Sequence, residues 1–422
     1  MNDPAWINAA LTSARPQAIA ALLRYFRDMD TAEEAYQEAC LRALKNWTQN
    51  GPPRDPAAWL ILVGRNAALD ATRRYSKQQP LPSDDALSDL DDAEEQLVER
   101  LDTDDYRDDL LRLLFVCCHP DLPATQQIAL ALRIVSGLSV TQIARAFLVS
   151  ESAMEQRITR AKACIAKANL PFETPGAVER AQRLAAVATM IYLLFNEGYS
   201  ATGVAASMRF TLCDEAIRLA RLLLRLFQGE AEIIGLTALL LLQHSRSAAR
   251  LDDAGQIVLM EDQDRGLWNR TMIGEGLALI DKAIRHAQPG PYQVQAAIAA
   301  LHARAATPDE TDWPQIELLY ATLERLQPSP IVTLNRAVAV SKVQGPAAAL
   351  TLIEPLAAKL SGYFYFHGVR GALLAELGRV EEARDAYNRA IALANTMPEA
   401  AHIRRQLDRL MSDRADSNRL QE

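Results

Sequence analysis

Apolar positions recur along this chain at the three- and four-residue intervals of amphipathic helices, with breaks at Pro- and Gly-rich stretches, and this predicts an almost wholly helical protein. In AEEAYQEACLRALKNW the residues Tyr36, Ala39, Cys40, Ala43 and Trp47 mark an inward face, and Thr31 with Glu34 predicts a capping box at its start. The helix ends before TQNGPPRDP. There Asp55 is placed to cap a second helix with Pro56 at its first position, opening AAWLILVGRNAALDATRRYSK. On that helix Ile61, Leu62, Ala68 and Leu69 face inward. Asn66, Asp70, Arg73, Arg74 and Lys77 form a polar stripe that becomes basic toward its end.

Further along, GLSVTQIARAFLVSESAMEQRITRAK holds two short periodic segments with a tight connection. The wheel of the second buries Met154, Ile158, Ala161 and Ile165 against Ile143, Ala144 and Phe147 of the first. Its outward side carries Ser152, Gln156 and Thr159, flanked by Glu155, Arg160 and Lys162, with Arg157 along the edge. Short polar groups near a helix start, surrounded by guanidinium groups, suit a helix in the major groove. This spacing assigns Ser152, Glu155, Gln156 and Thr159 to base edges and Arg157, Arg160 and Lys162 to phosphates. Ser152 and Glu155 can equally close a capping box, and from this stretch alone a DNA reader and a plain helical hairpin both stay open.

Net charge sharpens the picture through its distribution. The chain's formal charge is -8, yet Asp84 to Asp109 holds 13 acids against two Arg, while Ile128 to Lys167 holds six Lys and Arg against two Glu. An acidic tether therefore abuts a basic domain. The expected organisation is a first helical domain over 1–79, an acidic linker over 80–105, a helix-turn-helix domain over 106–170, stacked helix pairs over 175–411 and a flexible tail over 412–422. In the last helix pair Gly371, Ala383, Tyr387 and Ala390 stand at the offsets of a tetratricopeptide (TPR) repeat, and 34 residues upstream Ala337, Ala349, Ile353 and Leu356 match them.

Composition excludes several classes. The longest apolar run, Ile233 to Leu242, is too short to cross a bilayer, so no membrane partner is expected. The start MNDPAWINAALTSARPQ lacks the pattern of an export signal, so the expected location is the cytoplasm. Cys40, Cys117, Cys118, Cys164 and Cys213 contain no C-x-x-C pair, and Cys117-Cys118-His119 reads as buried small thiols, with no metal and no cofactor expected. The cluster EDQDR at 261–265 reads as a buried ion-pair network at a helix start, and no catalytic signature accompanies it, so no enzyme activity is expected. Tyr199, Trp268, Tyr292, Trp313 and Tyr320 read as packing aromatics.

Taken together, AEEAYQEACLRALKNW, PRDPAAWLILVGRNAALDATRR, the acidic linker and the helix-turn-helix resemble the two domains of extracytoplasmic-function sigma factors of bacterial RNA polymerase over residues 10–170. The remainder resembles the long TPR-like extension of one subgroup, through LLRLLFVCCHPDL, IYLLFNEGYSA, VLMEDQDRGLW, GPYQVQAAIAALHA, TDWPQIELLYATL and SPIVTLNRAVAV. The resemblance implies an all-α fold of two small sigma domains followed by a TPR-like α-solenoid. It implies core RNA polymerase as partner, docked on Glu34, Gln37, Glu38 and Arg42. It also implies promoter DNA, with the -10 element at Asn66, Asp70, Arg73, Arg74 and Lys77, the loop Asn50 to Asp55 taking a flipped base, and the -35 element at the helix-turn-helix. Glu155 departs from the basic or small residue usual at its position, which leaves the -35 sequence open. The stacked helices would regulate activity, through a partner protein or through contact with the sigma domains. The alternative is a helix-turn-helix regulator with a TPR sensor that binds duplex DNA without polymerase, and the N-terminal unit is the feature that discriminates. A third class, a TPR scaffold whose basic helices bind acidic proteins, expects no promoter specificity.

Overall fold

The structure, a computed structural model, describes residues 5–51, 53–76, 104–147, 149–167, 177–199, 205–252, 255–394 and 396–419. Helices dominate it, and the only extended pairing among the described residues is an isolated bridge between Leu251 and Ile257. The chain divides into two units, Met1–Leu194 and Phe195–Glu422. Residues 80–103 of the linker expected over 80–105, the 171–175 boundary and Lys77 lie outside the described residues, while Asp104 and Asp105 already belong to the helix that follows.

The first unit opens with α1 (Ala5–Phe26), α2 (Met29–Asn50) and α3 (Pro56–Ser76), packed on one another. Three indoles tie them together: Trp47 stacks on Trp6 at 6.1 Å and meets Trp59 edge-on at 5.3 Å. The inward face expected of α2 is the buried one, with Tyr36, Ala39, Ala43 and Trp47 in the core and Cys40 half-buried. Its cap differs from the expectation. Asp28 caps the helix, accepting from the Thr31 N–H at 2.8 Å and from its hydroxyl at 2.6 Å, so Thr31 acts as a donor inside the first turn. A carboxylate three residues upstream is the stronger acceptor and starts the helix earlier. Asp55 caps α3 as expected, accepting from Ala57 and Ala58.

After α4 (Asp104–Cys117) and α5 (Ala124–Ile134) come α6 (Val140–Ala146) and α7 (Glu151–Lys167). α4 packs on α1, and α5 and α6 both pack on α7. Ser139 opens α6 with a reciprocal capping box to Gln142. The α7 cap is Ser150, whose hydroxyl accepts from the Ala153 N–H at 3.2 Å, so the capping box expected of Ser152 and Glu155 does not form. A cap must immediately precede the first helical residue, here Glu151, which excludes Ser152 from the role. The helix α8 (Ala177–Tyr199) runs across the division between the units.

The second unit is a succession of helices in which neighbours in sequence pack on each other: α9 (Ala205–Leu226), α10 (Ala231–His244), α11 (Arg270–Ile284), α12 (Pro291–Arg304), α13 (Trp313–Leu326), α14 (Pro330–Gln344), α15 (Pro346–Ile353), α16 (Phe364–Glu376), α17 (Val380–Leu393) and α18 (Met397–Arg419). The apolar run seen in the sequence is α10, covered by α9, α11 and α12; Leu239, Leu240 and Leu241 are fully buried there, each contributing roughly 1.5–3 kcal/mol relative to exposure. The repeat residues pack as their type requires. A Cβ on Gly371 would fall 2.6 Å from the Tyr387 ring, so α16 and α17 approach this closely only because residue 371 is glycine. Ala337, Ala349, Ile353, Ala383 and Ala390 are fully buried beside them. α18 continues to Arg419, past the Ser412 where regular structure was expected to end.

EDQDR differs from the expected ion-pair network. Arg265 is buried and donates to two carbonyls, His302 O at 2.8 Å and Ala305 O at 2.5 Å, with its guanidinium 4.8 Å from the Trp268 ring. Asp264 accepts from the Gly266 N–H, and Glu261 reaches Lys342 at 3.6 Å. Carbonyls at a helix end satisfy a guanidinium without the cost of desolvating a carboxylate as well.

Candidate nucleic-acid interface

The site grows from the packing of α7. Met154, Ile158, Ala161 and Ile165 are buried, as their spacing requires, against a layer that includes Ile143, Ala144 and Phe147. Anchoring one face of a helix presents the other at fixed angles, and Ser152, Glu155, Gln156, Thr159 and Arg160 are all exposed, with Arg157 half-buried at the edge. These six residues therefore share a polar surface able to meet base edges and phosphates in a major groove. Lys162 stands apart from them. Its ammonium lies 2.7 Å from Asp30 Oδ1 and 2.9 Å from Glu33 Oε2, on α2. Burial disfavours its charged form, but the bonds to Asp30 and Glu33 more than offset this and raise its pKa above the ordinary value.

On α3, Trp59, Ile61 and Leu62 are buried and Asn66, Ala68 and Leu69 half-buried. The helical backbone continues through Asp70, Arg73 and Arg74. On α2, Glu34 and Gln37 are exposed and Glu38 bonds Arg42 at 2.9 Å along one turn. Two exposed apolar residues, Leu41 at 58% and Leu44 at 45%, complete that face, and the sequence reading passed over them. Their signal was present: they follow Gln37 by four and seven residues, on the side opposite the buried stripe. These two apolar side chains lie exposed on the same helix as the carboxylates of Glu34 and Glu38.

The thiols behave as the sequence implied. Cys117 and Cys118 are buried and unpaired, and burial pushes the Cys117 thiol up to about 12. Among the described residues His119, Asp121 and Cys164 bring ligand atoms within 4.8 Å of one another. The His119 Nδ1, however, accepts the Asp121 N–H at 3.2 Å and serves the turn after α4.

Residues 11–78 match the model of sigma-70 region 2, and residues 112–165 match that of sigma-70 region 4. Residues 183–284 match a family of unknown function, DUF6596. An uncharacterized protein of Rhizobium meliloti (strain 1021) is 69% identical over 415 residues, covering 98% of each chain. The region 2 match thus holds α2, α3 and all but the start of α1, and the region 4 match holds α5, α6 and all but the last two residues of α7. Among the described residues no helix is long and apolar enough to cross a membrane.

Proposed function

Because the chain belongs to the extracytoplasmic-function sigma factors, in a form carrying a C-terminal helical extension, we propose that it directs promoter-specific initiation by a division of labour among its helices. In this reading α2 seats the chain on core RNA polymerase through Glu34, Gln37, Glu38 and Arg42, with Leu41 and Leu44 added from the exposed face. α3 holds the -10 element with Asn66, Asp70, Arg73 and Arg74, and Lys77, outside the described residues, is assigned to the same element. α7 reads the -35 element, with Ser152, Glu155, Gln156 and Thr159 at base edges and Arg157, Arg160 and Lys162 at phosphates. Holding an unstacked base offsets the cost of opening the duplex, while the cationic groups hold its strand. The chain acts as a binding subunit and not as an enzyme.

The observation that supports this best is the exposed row Ser152, Glu155, Gln156, Thr159 and Arg160 on a helix whose opposite side is core. The experiment is copurification with core polymerase followed by run-off transcription from candidate promoters. Selective initiation is the expected result. Binding of promoter duplex by the chain alone, with no association to polymerase, would replace this reading with that of a freestanding regulator.

The stacked helices of the second unit are proposed to regulate that activity. Helix arrays of this kind present extended surfaces, and Leu318, Ile331 and Tyr365 are exposed on the second unit. Truncating the chain near Pro175 tests this: promoter activity should change in cells or with purified polymerase, and unchanged activity in both removes the regulatory role.

A further inference from the structure

In the second unit, a cleft of about 130 Å³ lies between Asp252 and the stretch 257–262 on one side and a face of α18 on the other. The stretch takes in the start of VLMEDQDRGLW. His402, Arg405 and Arg409 share the helical face at intervals of three and four residues, while Ile403 and Leu407 pack into the core around Tyr387 and so fix the rotation of the helix. The other wall is fixed by its backbone. Leu251 bridges Ile257, the Val258 N–H donates to Arg250 O at 3.0 Å, the Asp262 N–H donates to Leu259 O at 2.9 Å, and Gln263 Nε2 donates to Val258 O at 3.2 Å. Arg405 Nη2 reaches Ile257 O at 3.5 Å and ties the two walls together. The cleft is therefore formed before anything enters it, and binding there costs little ordering.

Charge is sorted across this cleft. The carboxylates of Asp252 and Asp262 stand on the loop wall, and the guanidinium groups of Arg405 and Arg409 on the helix wall. Both guanidinium groups and Asp262 act electrostatically on His402, so all three face one space. Burial, together with Arg405 and Arg409, depresses the His402 pKa below its ordinary value against the opposing pull of Asp262. The imidazole is thus neutral at pH 7 and adds no third cation. The opposite charges do not neutralise one another: among the described residues Arg405, Arg409 and Asp262 form no ion pair. Asp252 has one oxygen engaged by the Gln256 N–H at 2.7 Å, which makes Asp262 the principal acid of the cleft. Ile257, Val258 and Leu259, each half-buried, supply an apolar wall. A molecule complementary to this arrangement carries one negative group, one positive group and a short apolar side chain. Size narrows the choice further. A cavity of about 150 Å³ accommodates benzene, so this cleft takes about six to eight heavy atoms and excludes a nucleotide. We infer that the second unit binds a free aliphatic α-amino acid of about the size of valine, with its carboxylate on Arg405 and Arg409, its ammonium on Asp262 and its side chain against Val258. The planar fork of a guanidinium matches a carboxylate with two parallel bonds, and two such forks on one helical face hold it in a single orientation.

Binding is read directly, so the outcome does not depend on whether the chain initiates transcription or is regulated through its second unit. The full-length chain is titrated calorimetrically with L-valine, with 3-methylbutanoate, which lacks the ammonium, and with 2-methylpropylamine, which lacks the carboxylate. L-Valine should bind saturably and raise the melting temperature. Each fragment should bind about tenfold more weakly or worse, because each forfeits a charge-assisted contact. Asp262→Asn and Arg409→Gln alter exposed side chains, should fold as the parent does by circular dichroism, and should each weaken L-valine binding by about tenfold. The fragment comparison uses the parent chain alone, so it decides the matter however the variants fold. No saturable binding of L-valine, fragments that bind as tightly as the whole molecule, or folded variants that bind L-valine as the parent does each overturn the site.

Discussion

Arg160→Ala tests the orientation of α7 most directly. The guanidinium is exposed, and among the described residues it makes no ion pair or hydrogen bond, so its removal should alter folding stability by less than about 0.5 kcal/mol. Four buried residues, Met154, Ile158, Ala161 and Ile165, continue to hold the helix. What is lost is one cation at a phosphate. Each neutralised phosphate contributes about 0.9 to the slope of log affinity against log salt, so the slope of the polymerase-bound chain should flatten by about that amount. Between 50 and 200 mM salt, a fourfold span, the variant's deficit should shrink by about 3.5-fold. The assay is fluorescence anisotropy of a labelled promoter with the assembled holoenzyme across that range, repeated with altered -35 sequences. The loss should be the same for every sequence, because a phosphate contact carries no base information. An unchanged slope, or a loss confined to one sequence, would show that α7 does not lie in the groove as described.

Glu155→Ala should act in the opposite way, relaxing preference at one position of the -35 element by roughly 1–3 kcal/mol while leaving the salt slope in place, as read by competition among duplex variants. Gly371→Ala places a methyl 2.6 Å from the Tyr387 ring and should destabilise the α16–α17 pair by about 1–3 kcal/mol; calorimetry should show a lowered melting temperature, and no shift would mean the two helices pack differently. His302 is held neutral: burial, with Arg246 and Arg265 nearby, depresses its pKa from 6.5 to about 4. Its contribution is therefore complete above about pH 6.5 and is lost as pH falls toward 4, by roughly 3 kcal/mol in full. Melting temperatures from pH 7 to pH 4.5 should fall less steeply for His302→Phe than for the parent, and parallel curves would remove the imidazole from the account.

Periodicity made much of this protein legible in advance. The buried stripe of α7, the inward face of α2 and the glycine-tyrosine contact of α16 with α17 all follow from local spacing, because a helix repeats its faces every three to four residues whatever surrounds it. Caps were less secure where several acceptors competed within one turn: Asp28 took the role expected of Thr31, and Ser150 that expected of Ser152. Spacing said nothing of partners far along the chain. Arg265 finds carbonyls 37 and 40 residues away, and Lys162 finds carboxylates 132 and 129 residues away. The sequence by itself determined which elements form and which face of each is core, since burying apolar area is a local, non-directional requirement. Only the tertiary structure decided that Lys162 is held by Glu33 and Asp30, because pairing depends on the directions and distances at which separate helices meet.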